Sequence, residues 1–370
     1  MNPVDRRRFL RTTAGTGLAA AAASWLAPQP ARAARTSARI KVGQIGLGHD
    51  HASGKMATFR KLADQYEVVG VVETDPLLRK AWENHPIYRG LKWMTEEQLL
   101  NTHGLQAVAV ESRVGDLVPT ATRCVAAGMH VHLDKPAGQS LTAFKSLLDA
   151  ATRRGLTVQM GYMYRNNPAM QFCFRAVREG WLGDVFEVHG VMNKRQDAAE
   201  RQRWQPYRGG AMFQLGCHLI DVLVAVLGKP DKITPFARQT RPGPGELVDS
   251  QLAVFEYPKA TATIRVAMMD VDGMPRREFA ICGSGGTIDL RPIEPPRLRM
   301  ALASPRDTFR SGPQDVALPP MPGRYDEQLL ELAQIIRGER EHPYRPAHDL
   351  AVQEAVLLAS GCPLEPAAKK

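Results

Sequence analysis

Cysteine is scarce and scattered in this chain. Its 370 residues hold five, Cys124, Cys173, Cys217, Cys282 and Cys362, with no C-x-x-C pair and no metal-ligand spacing among them. A disulfide-stapled scaffold and a thiolate zinc site are excluded; mostly buried free thiols are expected, with one disulfide left open. Aromatic residues make up 6% of the chain and never interleave with a basic block, so no nucleic-acid surface is expected. Internal repeats and low-complexity segments are absent after residue 33. So is any later apolar run of membrane length, and no stable membrane anchor is expected.

The positive charge is concentrated at one end. Residues 1–33 carry five arginines and one aspartate, and without them the formal charge falls from +10 to +6. Asp5-Arg6-Arg7-Arg8-Phe9-Leu10-Arg11 sets paired arginines before an alanine-rich run from Thr12 to Leu26. Ala31-Arg32-Ala33 follows as an A-x-A cleavage site, so the mature chain is expected to begin at Ala34. This reads as a twin-arginine signal, which places the protein in the periplasm or outside the cell. The route carries folded proteins and suits one that takes up a cofactor before it leaves.

The stretch that organises the rest is Ile40-Lys41-Val42-Gly43-Gln44-Ile45-Gly46-Leu47-Gly48-His49-Asp50-His51-Ala52. Apolar alternation stops at Gly46, and a helical stripe of Met56, Phe59, Leu62 and Ala63 follows. Strand, glycine turn and helix is the arrangement that offers helix N-terminal amides to a pyrophosphate. Gly46 permits the turn and Gly48 lets backbone approach the phosphates; the third fingerprint position is His51, not glycine. The next strand ends in Glu73, roughly 25 residues on, where a carboxylate grips the adenosine ribose. The cofactor-side set is therefore Gly46, Leu47, Gly48, His49, His51 and Glu73, with Glu111, Asp134 and Lys135 at later strand ends.

Strand and helix alternate from residue 40 to about 156, which predicts a doubly wound parallel sheet over 38–156. One helix start, Thr95-Glu96-Glu97-Gln98, is a capping box. The fourth strand ends in Leu133-Asp134-Lys135-Pro136, and Pro136 holds Lys135 extended, aimed off the carboxyl edge. A lysine there can polarise a substrate oxygen or share a proton. His130 and His132 share a strand face, but with no third ligand nearby they read as structural, and no metal is expected.

Beyond 156 the character changes. A strand over 156–164 runs into Arg165, and residues 193–207 read as a loop. An apolar helix carries Gln214, His218 and Asp221 at i, i+4 and i+7, hence on one face. His218 is a candidate for proton exchange with a substrate hydroxyl, with Gln214 beside it. Tyr164, Arg165 and Asp221 are candidate substrate contacts. Long alternating strands follow from 233 to 291, which predicts an α+β domain over 157–362 with a large, mostly antiparallel open sheet. Gly283-Ser284-Gly285-Gly286 reads as a hairpin, and 311–324 as a loop. One face of this sheet is expected to form a homo-oligomer.

Three segments resemble the Gfo/Idh/MocA oxidoreductases, the group of glucose-fructose oxidoreductase and inositol dehydrogenase. They are Ile45-Gly46-Leu47-Gly48, Gly128-Met129-His130-Val131-His132-Leu133-Asp134-Lys135-Pro136, and Gly209-Gly210 through Gly216-Cys217-His218-Leu219-Ile220-Asp221. The resemblance spans residues 38–362. It implies a Rossmann domain plus an open-sheet domain, a nicotinamide cofactor, a sugar or polyol substrate, and Lys135 with His218 as the catalytic pair. Two departures stand out. Alcohol-oxidising members carry aspartate where this chain has Gln214, and an amide cannot ionise or relay a proton. The family's proline- and histidine-bearing loop is here Glu111-Ser112-Arg113-Val114-Gly115-Asp116-Leu117.

The expectation is an exported NAD(P)-dependent oxidoreductase acting on a sugar or polyol. Glu73 favours NAD over NADP, because a 2′-phosphate would meet a carboxylate. The cofactor is expected to be tightly bound, since free NAD is scarce outside the cytoplasm. Alternatives are NAD-assisted glycoside cleavage by transient oxidation and elimination, and a non-catalytic sugar-binding protein that keeps the fold.

Overall fold

The computed structural model describes residues 38–205, 207–240, 247–321 and 323–365. The twin-arginine segment and its cleavage site lie outside the described residues. Among those described, no helix is long and apolar enough to cross a membrane.

The first sheet is built from β1 (Ile40–Ile45), α1 (Ala52–Lys61), β2 (Tyr66–Val72), α2 (Pro76–Trp82), α3 (Glu96–Leu100), β3 (Leu105–Val110), α4 (Val114–Ala126), β4 (His130–Leu133), α5 (Leu141–Arg153) and β5 (Val158–Met160). Its five strands are parallel in the order β2-β1-β3-β4-β5. The central strands read as near-continuous apolar runs because helices cover both faces. On one face α4 and α5 bury Leu117, Val118, Ala121, Phe144, Leu147 and Leu148. The expected capping box closes α3: Thr95 accepts from Gln98 N, and Gln98 returns the bond to Thr95 N. The order reverses at β1, so a crevice opens between the carboxyl ends of β1 and β3.

After β5 the chain makes a 3₁₀ turn at Met163–Asn166, then α6 (Pro168–Arg178), β6 (Val185–Val191), α7 (Ala198–Trp204), a π turn at Met212–Gly216 and α8 (Cys217–Leu227). Next come β7 (Lys232–Arg238), β8 (Ser250–Glu256), β9 (Thr261–Ala267), β10 (Glu278–Gly283), β11 (Gly286–Leu290), β12 (Leu298–Leu302) and β13 (Gly312–Val316). They form an eight-stranded sheet in the order β13-β12-β11-β10-β6-β9-β8-β7. Every pairing is antiparallel except β6 with β9. Ser284-Gly285 is the hairpin turn between β10 and β11. α8 is apolar nearly all round because it is enclosed, packed on β6 and β9 and against α6 and α10.

Two helices close the chain, α9 (Asp326–Ile336) and α10 (Pro346–Ala359). α9 returns to the first sheet, where Leu329, Leu332 and Ala333 meet Ile40, Val42 and Phe59 on the face opposite α4 and α5. The segment after β13 thus braces the Rossmann unit, a role its position late in the chain does not suggest. Three stretches differ from the sequence reading. The strand expected through Tyr164 stops at Met160, and residues 198–204 and 312–316, read as loop, are α7 and β13. All five cysteines are free thiols.

Candidate active site

The glycine turn is held from both sides. Gly46 sits at φ +92°, and a Cβ there would lie 2.5 Å from the backbone of Ser112, so only glycine fits. Glu73 pins the turn: its carboxylate accepts from Leu47 N at 2.7 Å and Asp75 N at 2.8 Å. Each oxygen keeps a lone pair for another donor, such as a ribose hydroxyl. No side chain caps α1 and no acid stands in its first turn, so its N-terminus is open to an anion. A cleft of about 890 Å³ runs past this terminus, between Leu47, Gly48 and Ser53 on one side and Gln202, Arg203 and Tyr207 on the other. Turn, acid, uncapped helix and cleft together fit a nicotinamide dinucleotide. A smaller cavity of about 290 Å³ at Glu73 and Asp75 is bordered by Arg113, which bridges to Asp75 at 2.8 Å.

Inside the turn lies a buried polar cluster. Asp134 accepts from Lys135 N at 2.7 Å and faces His51 Nδ1 at 3.1 and 3.2 Å. Burial alone would raise its pKa, but the imidazoles of His49 and His51, the hydrogen bond from His51 and the Lys55 ammonium outweigh that and hold the carboxyl well below the usual carboxylate range. His49 Nε2 donates to the Lys135 carbonyl at 2.9 Å, so its Nδ1 is the acceptor for His51 N at 3.2 Å. Burial, with His51 and Lys135 adding to it, pushes His49 down to about 3. Lys55 Nζ binds His132 Nε2 at 2.7 Å and Gln328 at 2.8 Å, while His132 Nδ1 meets Gln159 at 2.9 Å. The ligand atoms of His49, His51 and Asp134 all lie within 4.8 Å of one another. His49 Nε2 and His51 Nδ1 are turned to protein partners and the Lys55 and Lys135 ammoniums stand close by, so the cluster is built as a proton-holding network.

Lys135 reaches across to the second domain, where its ammonium donates to the backbone carbonyl of Gln214 at 3.0 Å, within the π turn. It lines a cavity of about 260 Å³ together with His51, Gln214, His218 and Tyr325. The structure thus brings Lys135, at the end of the first sheet's β4, and His218, on α8 against the second sheet, to one cavity. Gln214 and His218 are not bonded to each other: the Gln214 amide nitrogen and His218 Nδ1 are both buried without a partner. Burial, then the neighbouring Lys135 ammonium and the His51 ring, push His218 well below the ordinary histidine value.

Other expected contacts go elsewhere. Arg165 and Asp221 do not reach the cavity. They form a buried ion cluster, with Arg165 Nη2 to Asp221 at 2.6 Å and to Asp349 at 2.5 Å, because α10 supplies a second acid that claims the guanidinium. Tyr164 lies behind His218, ring centroids 5.4 Å apart, with its hydroxyl on Glu294 at 3.0 Å. Glu111 is sealed beneath the turn, where its backbone serves His49 N and its carboxylate makes no hydrogen bond but lies 3.9 Å from His49 Nδ1; it does not line the cleft. Burial and Asp134 hold its pKa well above the carboxylate range. The sequence reading missed Arg277, Arg324 and Tyr325, which the cavity gathers from distant segments with no local signal.

A parallel sheet with its turn and helix terminus open to a diphosphate, joined to a second domain that closes a cavity of proton-carrying groups, has the architecture of a nicotinamide-dependent oxidoreductase. The model described as "Oxidoreductase family, NAD-binding Rossmann fold" matches residues 40–162, and "GFO/IDH/MocA C-terminal domain" matches 171–289. The chain belongs to the Gfo/Idh/MocA oxidoreductase family. It is 26% identical over 194 residues to the uncharacterized oxidoreductase YhhX of Escherichia coli, covering 52% of this chain and 56% of that one. It is 23% identical to scyllo-inositol 2-dehydrogenase (NADP(+)) IolW of Bacillus subtilis, covering 61% and 62%. Both sequence matches therefore span less than two thirds of the relative. The crystal structure of yhhX gives a TM-score of 0.73 at 19% identity, over 88% of this chain and 98% of the other. The WlbA dehydrogenase of Bordetella pertussis, solved with NADH and UDP-GlcNAcA, gives 0.70 at 18% identity, over 88% and 97%. These two likenesses concern the fold.

Proposed function

We propose that the protein oxidises a secondary hydroxyl of a sugar or polyol, with NAD as the resident hydride acceptor. The observation that carries this is the cavity of about 260 Å³ in which the Lys135 ammonium and two imidazoles, His51 and His218, meet from two domains beside the glycine turn. A hexose-sized polyol suits that volume. IolW and WlbA, whose names specify an inositol and whose structure holds a nucleotide sugar, support a polyhydroxyl substrate.

The residues divide the work by position. Gly46, Gly48 and the open end of α1 receive the diphosphate, and Glu73 binds the adenosine ribose. That carboxylate repels a 2′-phosphate, which favours NAD over NADP. Lys135, fixed by the Gln214 carbonyl, donates to the substrate oxygen and stabilises negative charge as the hydroxyl ionises. Gln214 and His218 line the same cavity and help shape it around the substrate. When bound, the nicotinamide supplies a carbon that takes the hydride.

The test is a panel of polyols, aldoses and sugar acids added to purified protein while nicotinamide fluorescence is followed. A rise at the reduced-cofactor emission with at least one compound is expected; a silent panel, and no nicotinamide nucleotide in the mass spectrum after denaturation, overturn the reading. NAD-assisted glycoside cleavage is the second reading, favoured by the absence of an acid bonded to His218. Release of aglycone without net reduced cofactor distinguishes it. Export by the twin-arginine route rests on Arg6, Arg7 and Ala31-Arg32-Ala33, and cell fractionation of the full chain tests it. Self-association through the eight-stranded sheet rests on its size and on the exposed Phe186 and Phe236; sedimentation measures it.

A further inference from the structure

We infer that the group taking the proton from the substrate hydroxyl is His51 Nε2, with Asp134 as its positioning residue, and not His218. The inference rests on the oxidoreductase reading and assigns its proton. An imidazole that accepts a proton needs a lone pair facing substrate and a partner on its other nitrogen that steadies the imidazolium. His218 lacks the partner: its Nδ1 is buried without a hydrogen bond, and the side chain one turn before it is an amide. His51 has it. Nδ1 faces both oxygens of Asp134, a buried carboxylate locked in place by Lys135 N.

The other nitrogen is in the right place. His51 lines the cavity with Lys135 and His218, its ring 5.9 Å from that of His218. Nε2 has no protein hydrogen bond among the described residues and is not among the sealed, unpartnered atoms, so it opens on the cavity. The position explains the geometry. His51 is the N-cap of α1, where the dinucleotide fingerprint calls for glycine, so a ring projects from the turn where that pattern has no side chain. Burial first, aided by Lys135 and Lys55, outweighs the pull of Asp134 and keeps the imidazole below its ordinary pKa, so it rests neutral and ready to accept. In the step, the O–H bond breaks and N–H forms at Nε2. The C–H electron pair leaves with the hydride to the nicotinamide carbon as C=O forms, and Asp134 stays ionised.

The full chain is labelled with ¹⁵N-histidine, and NADH binding is first confirmed by melting shift. Failure to bind either NADH or NAD overturns the oxidoreductase reading itself. Long-range ¹H–¹⁵N spectra at pH 7 then report the ring tautomers. His51 is expected to carry its proton on Nδ1 with Nε2 bare, and Asp134→Asn to shift that signal; a protonated Nε2 facing the cavity overturns the inference while leaving NADH binding intact. His51→Asn places an amide nitrogen where Nδ1 stands, keeping the contact to Asp134 but removing Nε2. With the polyol the panel selects, it is expected to lower kcat about 10²–10⁴-fold at nearly constant KM and NADH affinity. A purely structural tether predicts the reverse, an altered NADH affinity or melting temperature with kcat retained. If His51→Asn fails to fold, His51→Gln serves as the second variant. Loss of turnover in His218→Asn with turnover kept in His51→Asn also overturns it.

Discussion

Lowering the pH from 7.5 to 5 presses protons onto histidines that the fold keeps neutral. His49 and His132 have both ring nitrogens engaged, one donating and one accepting, so an added proton must break a bond. Burial is the main cause that puts each at about 3, and it puts His342 at about 4. In the unfolded chain each titrates near 6.5. The folded pKa is therefore the lower one: below 6.5 the unfolded chain binds the proton first, and stability falls as pH drops through that window. By pH 5 the loss is about 2 kcal/mol per histidine, roughly 6 kcal/mol for the three. Burial raises the carboxyls of Glu111, Glu331 and Asp349, which works in the opposite direction. His51, His130 and His218 are depressed as well and add to the loss on acidification. Folding free energies from urea titrations followed by fluorescence should fall by several kcal/mol from pH 7.5 to pH 5, a large part of a typical folding free energy. His342→Gln should remove about 2 kcal/mol of that pH-dependent loss. Equal free energies at pH 7.5 and 5, or an unchanged pH dependence in the variant, refute the reasoning.

Three further outcomes follow from the geometry. Gly46→Ala forces a side chain into the Ser112 backbone at a positive φ and should lower the melting temperature sharply or leave the chain insoluble. Arg165→Met strands Asp221 and Asp349 together in the interior; chemical denaturation should show a loss of about 3–5 kcal/mol. Glu73→Gln removes the carboxylate charge at the glycine turn; if that charge meets the ribose as proposed, titration calorimetry should show NAD bound more weakly and any preference over NADP narrowed.

The first half of the molecule was readable because its signals are local. β1 and β4 fall at residues 40–45 and 130–133 as the alternation says, and Thr95 caps α3 as its spacing says. α7 was not readable: Ala198–Trp204 buries only Trp204, so it shows no apolar stripe. β13 hides behind Gly312 and Pro313, which an edge strand tolerates. At the site, Lys135 and His218 were visible as strand-end and helix-face residues, and the structure seats both on one cavity. The Asp134–His51 contact joins residues 83 positions apart, which no periodicity reports. Arg165 and Asp221 drew notice as polar groups in apolar surroundings. Their third partner, Asp349, stands on a helix near the end of the chain, and that distant acid turns a presumed substrate contact into an internal tie.

The resting place of the Lys135 ammonium has a practical corollary. Its acceptor is a main-chain oxygen, and every amino acid carries the same one. Position 214 can thus be exchanged in a saturation library without cutting the strut that joins the two halves of the enzyme. A designer wishing to retool this protein for a new sugar has there a wall that can be recarved while the lysine stays where it is.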